Sequence, residues 1–326
     1  MQSEPIQAFE DDAMEAAAAQ ALEAVDEQPI DIIPVNRGNR KETLLVRFVR
    51  RGPVVLQLCE QRSWLRTEAR LLTEIRERTS VPVPPVLAAG TEAGVAYVLT
   101  AYVAGDDLHR RFAELKPDTR KQLAESFGRY LGELHDGFQF DGYGPLTMEN
   151  RVGTEHGLGA ENTDWGAWFQ RYSTDALERL PAAFEPIRTT AEKLVREDSI
   201  DSDPGACLYP WDFRPGNVLV GDEQITAVLD WEAPLAAPPS LSVAKAEYLV
   251  ADWYVSEPAP LRRAFKRGYE RVRPYPTVPT AHRVAAIADS AVDSNGTVTN
   301  PGYPELGAEK SLAFHRGALE AVLESY

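Results

Sequence analysis

Between residues 207 and 232 the chain runs CLYPWDFRPGNVLVGDEQITAVLDWE, and three oxygen-bearing side chains in it fall at spacings suited to metal-assisted group transfer. Asp212 and Asn217 lie five residues apart in a loop stiffened by Pro210 and Pro215. Asn217-Val-Leu-Val and Ile225-Thr-Ala-Val-Leu are short apolar runs with Gly221-Asp222 between them, the pattern of an antiparallel hairpin. Asn217 and Asp230 flank the two runs and are expected side by side at the open end of the hairpin. An amide oxygen beside a carboxylate suits a hard cation such as Mg²⁺. Asp212 could then accept the proton of an attacking hydroxyl. An ordinary polar hairpin with a solvated aspartate fits the same letters, and spacing alone leaves both open.

Two further stretches bear on chemistry. A helix is expected over residues 64–78, with Trp64, Leu71, Leu72 and Ile75 as its apolar stripe and Glu68 on that stripe. A carboxylate facing a core is costly unless paired, so Glu68 either has a partner or sits at a border that reaches water. Gly38 and Asn39 lie between Val35 and a strand-like run from Leu44 to Val49, where backbone N–H groups could cradle phosphates or simply make a polar turn. Neither GxGxxG nor GxxxxGK[ST] occurs.

The elements that must position these groups come from a chain of 326 residues, 44% apolar, enough for two domains or one bilobal unit with a substantial core. Fifty acidic against 34 basic residues leave a net charge of −16, a poor surface for nucleic acid, whose phosphates call for clustered Lys and Arg. Only seven of those bases are lysine, which fits either work in concentrated salt or an acidic leader that is merely unpaired. No apolar run reaches the roughly 18 residues of a membrane helix. The first thirty residues hold no base with which a secretory signal would begin, so a cytoplasmic protein without a membrane partner is expected. Cys59 and Cys207 have no CxxC neighbour and the five histidines form no HExxH, which excludes a disulfide scaffold and leaves a zinc site unsupported. Oligomeric state is left open.

Residues 1–31 form an acidic leader, expected to be partly disordered or helical, with MEAAAAQALEAV (14–25) of helix-forming composition. A strand-rich lobe is expected over 32–102. It has two β-like runs broken at Gly52-Pro53, the helix at 64–78, an extended Val81-Pro-Val-Pro-Pro, and a buried strand in VAYVLTAYVAG (95–105). From 103 to 326 helical periodicity prevails, over about 118–138, 164–180, 185–198, 241–255, 258–272, 280–292 and 305–325, interrupted by the β-like island at 207–229. The loop at 293–301 could face a substrate or only solvent.

In combined order these residues resemble the aminoglycoside phosphotransferase and choline kinase-like family, small-molecule kinases that share the protein-kinase fold. Its signature is a His-x-Asp-x-x-x-x-Asn loop followed by a hairpin ending in Asp-Trp or Asp-Phe, matched here by Asp212, Asn217 and Asp230-Trp231-Glu232. Upstream, Glu68 in RTEARLLTEI matches the family's helix glutamate, VPVPPVL its proline-rich link and YVLTAYVAGDDL its hinge, while LGELHDGFQFDGYG (131–144) matches a helix-to-loop segment. The resemblance implies an α+β, bilobal protein-kinase-like fold, with a small N-terminal antiparallel sheet lobe carrying one helix and a larger helical C-terminal lobe. It implies ATP and Mg²⁺ as cofactors and transfer of the γ-phosphoryl group to a hydroxyl of an aminoglycoside-, sugar- or choline-like molecule. Asp212 would be the catalytic base, and Asn217 and Asp230 the metal ligands. Gly38 and Asn39 would cover the phosphates, and the backbone of Thr100, Ala101, Tyr102 and Val103 would bond adenine. Trp231 and Glu232 could border the substrate, although Trp231 also suits a core position.

Departures from the pattern keep a second reading open. Gln57 in VVLQL stands where the family's strand lysine pairs with the helix glutamate; it can hydrogen-bond Glu68 or a phosphate but brings no charge. Arg47, on the neighbouring strand, is the expected substitute. Pro210 replaces the loop histidine, and Pro238 and Ser242 replace two carboxylates of a later Gly-Asp-Pro-x-x-Asp segment. A pseudokinase that binds nucleotide or a partner without turnover is the alternative, and a phosphate-ester hydrolase or nucleotidyl transferase on the same fold a third.

Overall fold

Strand alternation builds the first lobe. The structure, a computed structural model, describes residues 11–35, 41–148, 157–197, 204–293 and 295–325. Helix α1 (Asp12–Leu22) precedes strands β1 (Asp31–Pro34), β2 (Glu42–Arg47) and β3 (Val54–Cys59), helix α2 (Arg62–Arg78), and strands β4 (Val86–Glu92) and β5 (Val95–Ala101). The strands form one antiparallel sheet in the order β1-β2-β3-β5-β4. Leu44, Val46, Val54, Leu56, Leu58, Val95 and Leu99 occupy one face, which α1 covers with Ala17, Ala18 and Ala21. The small alanines let helix and sheet approach closely. Glu27, just after α1, accepts the N–H groups of Val49 and Arg50 at 3.1 and 2.9 Å and so ties down the β2–β3 turn. The other face meets α2, where Leu65 and Ala69 pack on Ala96 and Val98. Trp64, expected on the apolar stripe of α2, is instead 39% exposed, because the buried face is carried by Leu65, Leu71, Leu72 and Ile75.

Beyond β5 come β6 (Asp106–Asp107), α3 (Leu108–Arg111), α4 (Pro117–Gly137), β7 (Gln139–Phe140), β8 (Gly144–Pro145), α5 (Trp165–Glu178), α6 (Glu185–Glu197), β9 (Ala206–Tyr209), β10 (Val218–Gly221), β11 (Gln224–Val228), β12 (Leu235–Ala237), α7 (Pro239–Glu247), α8 (Ala259–Glu270), α9 (Thr280–Ala291) and α10 (Ala308–Glu324). A π-helical turn, Tyr248–Asp252, extends α7, so the single helix expected over 241–255 changes winding midway. Helices α4 and α8 pack backbone to backbone: a Cβ on Gly128 would meet the Phe265 carbonyl at 1.9 Å, and one on Gly268 the Glu125 carbonyl at 1.9 Å. Strands β9 and β12 lie inside a small sheet ordered β7-β9-β12-β8, and β10 lies between β11 and β6. No helix among the described residues is long and apolar enough to cross a membrane. This is the α+β, bilobal kinase-like architecture expected from the sequence.

The hairpin departs from the expected register. Val218 pairs with Val228 and Leu219 with Ala227, but Val220 pairs with Ile225, so Thr226 is an extra residue. The turn is centred on Asp222-Glu223, so an unbulged hairpin would set Asn217 opposite Val228, and the bulge moves the open end one position toward Asp230 without reaching it. Leu229, not Asp230, faces Asn217 and donates its N–H to the Asn217 carbonyl at 2.8 Å. Asp230 leaves the ladder with a left-handed backbone, φ 60°.

Candidate active site

Asp212 sits in the loop between β9 and β10. One carboxylate oxygen accepts from Arg214 Nε at 2.7 Å and the other from Asn217 Nδ2 at 2.8 Å. The same Asn217 amide nitrogen donates to the Asp212 carbonyl at 2.9 Å, closing the loop on itself. With its nitrogen turned toward Asp212, Asn217 is left with its amide oxygen as the atom for a cation. Phe213 turns inward against Phe127 of α4, ring centroids 5.2 Å apart, and is 2% exposed.

Glu68 has the partner its burial required, and that partner is Lys41. The two side chains meet at 2.9 Å, with Asp230 at 3.5 Å and Glu232 at 3.7 Å from the same ammonium. Arg47 does not fill this role: it is exposed at the far end of β2, 4.0 Å from Asp31. Parity explains the choice. Thr43 and Leu45 of β2 and Val55 and Gln57 of β3 line the cleft, and Lys41 continues that series by one more step of two. Gln57 pairs with Thr43 across the strands, so the cation reaches Glu68 from the neighbouring strand, one diagonal away from the family's position. Burial works against the Lys41 charge, but Glu68, then Asp230 and Glu232, outweigh it and hold its pKa above the usual lysine range. Burial, with Glu232, Glu68 and Asp212 nearby, pushes Asp230 up to about 6 against the pull of Lys41. The signal for Lys41 was in the sequence: a scarce lysine at cleft parity just before a strand.

Lys41, Glu68, Asn217 and Asp230 share one cleft of about 740 Å³ between the lobes, and Asp212 lines a small adjoining pocket with Asp230 and Trp231. Gln57, Thr100, Ala101, Tyr102, Val103, Asn217, Asp230, Trp231 and Glu232 line the cleft, as does Asn295 from the loop after α9. Gly38, Asn39 and Ser294 lie outside the described residues. In the hinge, the Ala101 N–H donates to the Pro85 carbonyl at 2.9 Å and the Tyr102 N–H to the Pro53 carbonyl at 3.2 Å. Trp231 is 4% exposed and gives its indole N–H to the Val228 carbonyl at 3.0 Å. His135, fully buried, bonds Tyr269 at 2.8 Å and the Ser242 hydroxyl at 2.9 Å, so Ser242 braces the helical lobe where the family pattern has a carboxylate.

The donor set fits a hard divalent cation. Among the described residues no three His, Cys, Asp or Glu side chains converge on a metal site. Asp230 and the Asn217 amide oxygen instead offer a sparse oxygen pair, the kind Mg²⁺ uses when phosphates and water complete its shell. Among the described residues that line the cleft, Glu68, Asp230 and Glu232 outnumber Lys41, so a polyanion entering here would bring or need added positive charge.

A sheet lobe, a helical lobe and this arrangement in the cleft between them make up the protein-kinase-like architecture of a small-molecule phosphotransferase. The model of the phosphotransferase enzyme family matches residues 31–284; the chain belongs to that family and is a kinase with an alcohol group as acceptor. Among solved structures, aminoglycoside phosphotransferase APH(4)-Ia is similar over 96% of this chain and 99% of its own, at 16% identity and TM-score 0.64. A thermostable mutant of it, in a ternary complex with AMP-PNP and hygromycin B, is similar over 95% and 98%, at 17% identity and TM-score 0.63. ADP-bound aminoglycoside phosphotransferase APH(2'')-Ib is similar over 96% and 99%, at 14% identity and TM-score 0.54. No curated protein sequence matches the chain.

Proposed function

We propose that this protein moves the γ-phosphoryl group of ATP, with Mg²⁺, to a hydroxyl of a small aminoglycoside-, sugar- or choline-like molecule. The observation that carries the reading is the meeting of Asn217, Asp230 and the Lys41–Glu68 pair in one interlobe cleft, with Asp212 hydrogen-bonded to Asn217 and lining an adjoining pocket with Asp230. Complexes of similar structures with AMP-PNP, ADP and hygromycin B support the choice of nucleotide and acceptor class.

Each residue then has a task. The Val103 N–H meets the adenine edge, since its neighbours Ala101 and Tyr102 have already committed theirs. Lys41, oriented by Glu68, binds triphosphate oxygens, and Gln57 hydrogen-bonds beside it. Gly38 and Asn39 are the backbone candidates over the phosphates. Asn217 and Asp230 would hold Mg²⁺, whose chemistry is to neutralise charge developing on the phosphoryl oxygens. Asp212 accepts the acceptor's hydroxyl proton as the new O–P bond forms and the bond to the β-phosphate oxygen breaks, releasing ADP. Arg214 and Asn217 fix the carboxylate and leave it spare lone pairs for that proton. Trp231 and Glu232 border the acceptor side.

The test is ATP turnover against pools of aminoglycosides, sugars and amino alcohols, with and without Mg²⁺, at low and high salt. Magnesium-dependent ADP release with one pool, and phosphate recovered on its hydroxyl, is the expected result. Mg·ATP binding with no transfer to any pool would overturn the reading in favour of a pseudokinase.

A further inference from the structure

Asp212 draws its side-chain partners from its own loop, Arg214 and Asn217, so those bonds shape the loop without fastening it to the lobe. Arg214 in turn lies over the Trp253 ring, 5.3 Å from its centre, and the residues on either side of Asp212 fasten the loop further. Phe213 is an apolar anchor against Phe127. Trp211 is a polar one: its indole N–H donates to Asp289 Oδ2 of α9 at 2.8 Å. The same Asp289 oxygen takes the Lys245 ammonium of α7, and its other oxygen takes Arg179, at the end of α5, at 2.7 Å. Lys245 also lies 4.3 Å from the centre of the Trp211 ring. Asp289 and Lys245 are 5% and 3% exposed, so water cannot substitute for any of these contacts.

A buried ion pair of this kind is a weak source of stability, because desolvation offsets most of the attraction. Its directional product is different: it holds an indole at a fixed angle, one residue from the catalytic carboxylate. Pro210, which occupies the place of the family's bracing histidine, has neither an N–H nor a polar side chain with which to do this. We propose that Asp289 is a positioning residue for phosphoryl transfer, fixing the loop that carries Asp212 through the Trp211 indole, with Lys245 and Arg179 keeping the carboxylate in place. The role rests on the kinase reading above.

Two variants separate this role from general packing. Trp211→Phe keeps an aromatic ring against Lys245 and deletes the N–H together with part of the indole's volume. The double variant Asp289→Asn, Lys245→Met removes both buried charges yet leaves an amide oxygen for the indole. Hydrogen exchange of the amides in 211–217 and steady-state ATP turnover, with water or an identified acceptor, are measured on the full chain. Trp211→Phe is expected to speed exchange in that loop and lower kcat between about 10- and 100-fold, the cost of a small misplacement, with KM for Mg·ATP within about twofold. The double variant is expected to keep loop protection and a kcat within about threefold of the parent. An active parent with an indifferent Trp211→Phe variant overturns the role alone. So does faster exchange across the whole helical lobe with kcat and KM changed together, which would mean packing. Loss of turnover in the double variant would place the effect in the buried charge and overturn the indole route. A parent that turns over no ATP overturns the kinase reading, and this role with it.

Discussion

Lys41 and Glu68 meet at 2.9 Å, the lysine reaching in from the edge of β2 and the glutamate from the buried face of α2. Neither would be at ease alone. Glu68 is 4% exposed, and Lys41 is nearly as well enclosed, so each charge is tolerated because of the other. The pair gives the cleft a fixed cation although β3 carries glutamine at the position the family gives to lysine.

Replacing Lys41 with Met should therefore lower kcat/KM for Mg·ATP by about 100-fold or more, as loss of a charge-stabilising donor does elsewhere. Moving the lysine to its family position, Lys41→Met with Gln57→Lys, should restore at least part of that loss, because Gln57 faces the same cleft from the adjacent strand. Steady-state kinetics on the three proteins decides it. A Lys41→Met variant with parental kcat/KM would show that the phosphates are bound by other groups.

Asp212→Ala should abolish transfer while nucleotide binding, followed by calorimetry, stays within about threefold of the parent. The reason is spatial: Asp212 is held by Arg214 and Asn217 and is not among the residues lining the cleft that holds the Lys41–Glu68 pair and the hinge. Asp230→Ala should do the converse and weaken Mg²⁺-dependent nucleotide binding. Parental transfer by Asp212→Ala would remove it from the mechanism.

Much of this was legible in the letters, and what was not has physical causes. The Asp212–Asn217 spacing and the hairpin turn are local, so short-range pattern reaches them. Helical periodicity placed Glu68 on the apolar stripe of α2 but left open whether it was buried with a partner or reached water at a border. The bulge at Thr226 was not legible, because one extra residue in a strand leaves composition and alternation almost unchanged; together with a turn centred on Asp222-Glu223 it sets Leu229, rather than Asp230, opposite Asn217. Lys41 was hidden because family position pointed to β3, while side-chain reach across a sheet is set by register, which no single strand encodes. Strand β4, VLAAGTE, gave no alternating apolar signal of its own and exists because β5 supplies its partner.

Gly268→Ala should destabilise the protein by about 2–4 kcal/mol without touching the cleft. The added methyl would sit 1.9 Å from the Glu125 carbonyl, a backbone atom that cannot swing aside, so α4 and α8 would have to separate. Gly128→Ala should cost a similar amount, since its methyl would meet the Phe265 carbonyl at the same distance. Urea unfolding at neutral pH measures both. A change below about 0.5 kcal/mol in either would mean that the helices have slack at this crossing.

Acid sensitivity should trace in part to His282. It is 2% exposed between the rings of Trp165 and Phe169, and neither ring nitrogen has a hydrogen-bond partner. Burial alone pushes its pKa down to about 4. In the unfolded chain the same imidazole protonates below about 6.5, while in the folded protein it stays neutral until about pH 4. The unfolded state thus binds the extra proton across that window, and folding stability falls as pH drops from about 6.5 to about 4, then levels off below it. His315, pushed down to about 4 by burial, adds to the loss in the same direction. His282→Leu removes one share of it. At pH 7.5 the variant should match or slightly exceed the parent, because two orphaned buried nitrogens are gone. At pH 5 it should be the more stable by about 2 kcal/mol, read from urea midpoints at the two pH values. Parallel losses in parent and variant between those values would show that His282 is protonated in the folded protein and that its surroundings admit charge.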